Sequence, residues 1–122
     1  MILVDTSVWV DHLRRGRDDL AKPLMQGLVV AHDFVIGELA CGNLRNRRGF
    51  LEHLRLLSPA TIADADEALH FIESRKLMGR GLDYVDVHLL ASSAIEGARL
   101  WTLDRALHAA AEETGLAFSP GK

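Results

Sequence analysis

The chain has 122 residues, 48% hydrophobic and 25% charged, a balance that suits one folded domain and argues against disorder or two comfortable domains. Its formal net charge is −3, with 14 Lys+Arg against 17 Asp+Glu, so it lacks the strongly basic footprint usual in nucleic-acid binders. Acids gathered in one pocket and neutralised by a metal would change that picture, since setting four aside moves the balance from −3 to +1.

No stretch reaches the roughly 20 uncharged apolar residues of a membrane span. Met1-Ile2-Leu3-Val4 runs at once into Asp5 with no basic leader, so a signal peptide is not expected either. The single cysteine, Cys41, excludes an intrachain disulfide and fits a reducing, cytoplasmic setting. Its small and apolar neighbours predict a buried thiol rather than a nucleophile.

In chain order, Ile2–Val4 reads as a buried strand and Ser7–Arg14 as a helix with apolar Val8, Trp9, Val10 and Leu13. Leu28–Ala31, after Gly27, is a second strand. Helices follow over Asp33–Cys41 and, past Gly42, over Arg47–Leu57. Ala60–Ile62 is a weaker third strand after Ser58-Pro59. Ala63–Met78 places Ala65, Ala68, Leu69 and Ile72 on one helical stripe. Val85–Glu96 is helical, Arg99–Thr102 is a fourth strand, Arg105–Thr114 is a last helix and Leu116–Phe118 is a short fifth strand. Apolar runs alternating with longer periodic segments predict an α/β fold on a mainly parallel sheet of about five strands. With no internal repeat and no linker, residues 1–122 read as a single domain.

Parallel sheets bind ligands at the carboxyl ends of their strands, which directs attention to the acids there. Asp5 follows the first strand and Asp104 follows Leu100-Trp101-Thr102-Leu103, so both are expected at one sheet edge. Either alone suits a helix N-cap as well as a ligand. Glu38 has Phe34, Val35, Cys41 and Gly42 at helical offsets, which predicts an inward carboxylate that needs a compensating charge. Asp86 stands one turn from Leu89 and Leu90, at the head of a buried face. Asp83 is its neighbour and competitor, without that inward stripe. Four converging acids repel one another, and Mg²⁺ or Mn²⁺ suits such an all-oxygen set. Zinc does not fit, because the one cysteine is isolated and no histidine pair has ligand spacing. His88 is expected at the surface or in support of the site.

The motifs Asp5-Thr6-Ser7, Val35-Ile36-Gly37-Glu38-Leu39-Ala40-Cys41-Gly42, Tyr84-Val85-Asp86-Val87-His88-Leu89-Leu90-Ala91-Ser92-Ser93 and Leu100-Trp101-Thr102-Leu103-Asp104 occur in that order. Together they resemble the PIN-domain nucleases and, more narrowly, the VapC toxins of VapBC toxin–antitoxin pairs, over essentially the whole chain. The resemblance implies a three-layer α/β/α sandwich and a metal-dependent endoribonuclease acting on structured RNA such as tRNA. It maps the catalytic and metal-binding acids onto Asp5, Glu38, Asp86 and Asp104, with Thr6, Ser7 and Thr102 in support and one or two Mg²⁺ or Mn²⁺ ions. It also implies a homodimer and a VapB-like antitoxin that blocks the site. Where the family often continues from its last aspartate to a phenylalanine, this chain has Asp104-Arg105-Ala106-Leu107.

Bound metal would stabilise charge on the scissile phosphate and lower the pKa of an attacking water. Asp5, Asp86 and Asp104 are the expected ligands, direct or through water. Glu38 would either ligate a second ion or orient the water. RNA also requires positive charge nearby, and Arg45, Arg47 and Arg48 are the candidate contacts. The alternatives are a catalytically silent PIN-like partner-binding domain or a phosphatase of the haloacid dehalogenase type. The phosphatase would want a second acid where Ser7 stands, and the four acids together argue against a silent scaffold.

Overall fold

In the computed structural model, which describes residues 1–121, four short parallel strands form the centre. They are β1 (Ile2–Val4), β2 (Val29–Ala31), β3 (Ser58–Pro59) and β4 (Arg99–Trp101), in the spatial order β3-β2-β1-β4. Ile2 pairs with Val29 on one side and Arg99 on the other, and Val4 stands opposite Trp101. All of β1 and β2 is buried, as expected where helices cover both faces of a parallel sheet. The chain order reverses at β1, so the β1–β4 boundary is the place where this architecture opens a crevice.

Among the described residues seven helices flank the sheet: α1 (Thr6–Arg15), α2 (Asp18–Met25), α3 (Asp33–Ala40), α4 (Arg47–Arg55), α5 (Ala65–Arg75), α6 (Tyr84–Glu96) and α7 (Arg105–Glu113). The mainly parallel α/β architecture of the sequence reading is the one observed. α1 packs on α3, α5 on α6, and both α6 and α7 on β4. The core runs through Leu3, Val8, Trp9, Leu39, Leu89, Leu90, Leu100, Trp101 and Leu107. Among the described residues, no helix is long and apolar enough to cross a membrane.

Several expectations are corrected. The third strand lies at Ser58–Pro59, upstream of Ala60–Ile62. Proline is tolerated there because β3 is an edge strand: Ala60 N–H makes the bond to Ala31 O, and the missing donor of Pro59 falls on the open side. The fifth strand shrinks to one bridge, Leu100 to Ala117. α2 covers a segment to which the sequence reading gave no element, and Pro23 inside it removes a backbone donor. Its start is fixed by Arg17, which ion-pairs with Asp11 and Asp19 at 2.8 Å each and lays its guanidinium 5.4 Å from the Trp101 ring. Leu69 is exposed, because the α5 stripe centres on buried Ala68 and half-buried Ile72.

Candidate active site at the strand ends

The backbone of Asp5 begins α1, its carbonyl accepting from Val8 and Trp9, yet its side chain caps nothing. Instead Oδ2 accepts from Ser7 Oγ at 2.7 Å and from Thr102 Oγ1 at 2.8 Å. Ser7 Oγ in turn accepts from Leu103 N at 3.0 Å, and Thr102 Oγ1 accepts from Asp104 N at 3.0 Å. The ends of β1 and β4 are thereby tied through two hydroxyls. Asp5 is only 7% exposed, so this carboxylate is held out of bulk water without a basic partner among the described residues.

Asp104 is a true N-cap: Oδ1 accepts from Ala106 N and Leu107 N at the start of α7. Asp86 sits at the third position of α6, where Asp83 is the N-cap and the two form a reciprocal capping box. Asp83 N donates to Asp86 Oδ2 at 3.1 Å, and Asp86 N to Asp83 Oδ1 at 2.8 Å. Asp83 therefore positions Asp86 through the capping box. The Asp-x-x-Asp spacing was the sequence signal for that role.

Glu38 corrects the reading made from its neighbours. It is exposed, because α3 buries Val35 and Leu39 and carries Glu38 on the flank of that stripe. Its carboxylate still turns to the same edge, where Thr6 Oγ1 donates to Oε1 at 2.6 Å. Cys41, at the C-terminal end of α3, is likewise exposed rather than buried. It lies two residues past Leu39, on the opposite side of the helix from the stripe.

His88 is buried, at 4% exposure, and not at the surface. It stacks edge-on between Phe34 at 4.8 Å and Tyr84 at 4.6 Å, and its Nδ1 has no hydrogen-bond partner. Phe34 also meets His32, whose Nδ1 accepts from Phe34 N and whose Nε2 lies 3.0 Å from Ser92 Oγ. Burial, together with the nearby His88, pushes the His32 imidazole down to about 4.

One pattern unites the four acids. Each uses a single oxygen for a positioning hydrogen bond: Asp5 Oδ2, Glu38 Oε1, Asp86 Oδ2 and Asp104 Oδ1. Among the described residues, the second oxygen of each receives no donor, and none of the four pairs with a cation. Burial pushes Asp86 up to about 6; its bond from Asp83 N opposes the rise, and the charges of Asp83, Asp5 and Asp104 add to it. The charges of Asp5 and Asp104 thus reach Asp86 from across the same sheet edge.

As these side chains stand, no three His, Cys, Asp or Glu groups among the described residues are close enough to hold one ion together. That spacing is physically consistent with carboxylates that repel one another and with Mg²⁺, which binds through one or two carboxylates and keeps several waters. An all-oxygen set with open lone pairs fits a hard divalent cation, and nothing in it favours zinc.

The three candidate RNA contacts separate. Arg47 opens α4 and donates to Ala40 O at 2.7 Å, Arg48 is exposed, and Arg45 lines a groove with Arg14, Val10, Leu13 and Leu44. Trp9 and Trp101 are both core residues.

The PIN domain family model matches residues 2–113. Ribonuclease VapC32 of Mycobacterium tuberculosis is 44% identical over 120 residues, covering 98% of this chain and 97% of that protein. Among solved structures, PAE2754 from Pyrobaculum aerophilum superposes with a TM-score of 0.67 at 19% identity, over 96% of this chain and 87% of that one. FitAB bound to an IR36 DNA fragment gives 0.62 at 18% identity, over 92% and 91%. FitAcB from Neisseria gonorrhoeae gives 0.60 at 21%, over 92% and 94%. At those identities the structural likeness is one of fold.

Proposed function

Because the chain belongs to the PIN-domain family, among the VapC ribonucleases, we propose that it is the endoribonuclease toxin of a toxin–antitoxin pair. Its substrate in this reading is tRNA or another structured RNA, hydrolysed at a phosphodiester bond in the cytoplasm. The observation that carries the proposal is the set of four carboxylates, each fixed through one oxygen and each leaving the other without a donor among the described residues.

Asp5, Asp86 and Asp104 are the residues that would hold Mg²⁺ or Mn²⁺, directly or through water, with Glu38 toward a second ion or the attacking water. Such an ion supplies charge stabilisation at the phosphoryl oxygens and a lowered pKa for bound water. The chain itself supplies alignment. Ser7 and Thr102 hold Asp5 at the β1 exit, Asp83 holds Asp86 at the head of α6, and Thr6 holds Glu38 beside them. The N-terminus of α7 fixes Asp104 through two backbone N–H groups. Strand and helix ends set Asp5, Asp86 and Asp104 and the body of α3 carries Glu38, and supports of this kind are the rigid ones.

Two partners complete the reading. A VapB-like antitoxin would cover the acidic edge, and a second copy of the chain would form a homodimer. The relative's name, Ribonuclease VapC32, supports the RNA substrate and the toxin assignment.

The test is incubation of purified protein with total tRNA and Mg²⁺ or Mn²⁺. The proposal expects cleavage that EDTA stops and Asp5→Asn abolishes. Absence of cleavage with either ion, or cleavage indifferent to EDTA and to Asp5→Asn, would overturn it and favour a silent partner-binding domain.

A further inference from the structure

Around the exit of β4 lies a cavity of about 290 Å³ that the acidic site does not account for, although Asp104 belongs to its wall. It is at the small end of the range for ligand cavities, about 300 Å³ upward. Its floor is aromatic: the rings of Trp101 and Phe118 meet at 5.2 Å, with the Trp101 ring sealed beneath the Arg17 guanidinium.

The cations on its wall are not equivalent. The charge of Arg17 is taken up by Asp11 and Asp19. His108 faces Glu112 at 3.5 Å. Arg105 is exposed and, among the described residues, has no carboxylate within ion-pair distance. Beside it, Leu103 is 46% exposed, although it lies between buried Thr102 and the site acid Asp104. Three consecutive residues at the strand exit thus offer an open apolar side chain, a carboxylate with one free oxygen and an unpaired guanidinium.

That sequence of chemistries matches one strand of RNA passing the acids. A nucleotide carries a flat apolar base and an anionic phosphate, and an acidic centre requires nearby cations to accept a polyanion. We propose that this cavity is a nucleotide subsite flanking the scissile phosphate, with Arg105 binding the adjacent phosphate and Leu103 with the rim of Phe118 supporting the base or ribose. The assignment rests on the nuclease reading above and deepens it by naming where the substrate strand is held.

The test measures binding of a short fluorescein-labelled single-stranded RNA by anisotropy over a series of salt concentrations. It uses the Asp5→Asn background, so that the strand stays intact. Arg105→Gln should weaken binding about fivefold and flatten the slope of log K against log salt by about 0.7, the loss of one phosphate contact. Arg105→Lys should restore that slope. Leu103→Ser should weaken binding without changing the slope. Unchanged affinity and slope in Arg105→Gln, with the wild-type protein still cleaving tRNA, overturns the subsite and leaves the nuclease reading standing. Wild-type protein that neither binds nor cleaves RNA overturns both. An Arg105→Gln variant that keeps its RNA affinity but loses binding to polyglutamate would make the cavity a protein-docking surface, which also overturns the assignment.

Discussion

Thr102 Oγ1 donates a 2.8 Å hydrogen bond to Asp5 Oδ2, joining residues 97 positions apart across the exits of β4 and β1. The same hydroxyl accepts from Asp104 N, so one side chain sets the spacing of two site acids. Thr102→Val keeps the shape and removes both bonds. Groups that orient metal ligands typically contribute 10–100-fold to metal affinity or activity, and a fall of about that size is expected in RNA cleavage. Stability should drop by about 1–2 kcal/mol, for a buried carboxylate and an N–H left short of partners. Thr102→Ser should retain most activity. Equal activity in Thr102→Val and wild type would remove the positioning role.

Asp104 performs two jobs that substitution can separate. Asparagine caps helices about as well as aspartate, so Asp104→Asn should leave the melting temperature nearly unchanged while abolishing cleavage. Asp104→Ala should lose cleavage and also about 1 kcal/mol of stability, as α7 loses its cap. A cap alone, with no part in the chemistry, predicts full activity in Asp104→Asn.

Asp86 should cost the metal-free protein stability at neutral pH. Its folded-state pKa of about 6 lies above the ordinary aspartate value of 3.8, so the folded state binds the extra proton between those values and stability falls as pH rises through that window. That shift corresponds to about 3 kcal/mol before screening, and because Asp86 is only half-buried the penalty that remains above pH 6 is on the order of 1–2 kcal/mol. Asp86→Asn should therefore raise the melting temperature of metal-free protein by several degrees while eliminating cleavage. An unchanged or lowered melting temperature would contradict this balance.

His32 acts with the opposite sign in nearly the same window. Its folded-state value of about 4 lies below the ordinary histidine value of 6.5, so its contribution is complete above pH 6.5 and is lost as pH falls toward 4. In the wild-type protein Asp86 opposes the loss from His32, to which buried His88 adds with the same sign, so the metal-free stability falls less steeply between pH 6 and 4 than the histidines alone would make it. Removing Asp86 as asparagine should expose the steeper His32 loss on acidification, visible in denaturant titrations at several pH values. Parallel profiles for the two proteins would show that the pair does not behave this way.

Much of this arrangement was legible in the sequence, for identifiable reasons. β1 is a fully apolar run and α6 and α7 are capped by acids, so strand-end positions for Asp5 and Asp104 followed directly. Glu38 was placed in the right region by the wrong argument. Apolar neighbours at helical offsets do not fix a side chain's direction when the buried stripe is as narrow as Val35 and Leu39. The hydroxyl network of Ser7 and Thr102 depends on two strand ends meeting, which no local pattern encodes. α2 escaped because Pro23 argues against a helix, and the ion pairs of Arg17 that anchor its start join three separate positions.

The central claim is that four carboxylates with open oxygens bind a divalent cation, and calorimetric titration of Mn²⁺ into the wild-type protein at neutral pH tests it most directly. The account predicts saturable binding of one or two ions that is lost in Asp5→Asn and in Asp86→Asn. Failure to bind Mn²⁺, or binding that survives both substitutions unchanged, would contradict it.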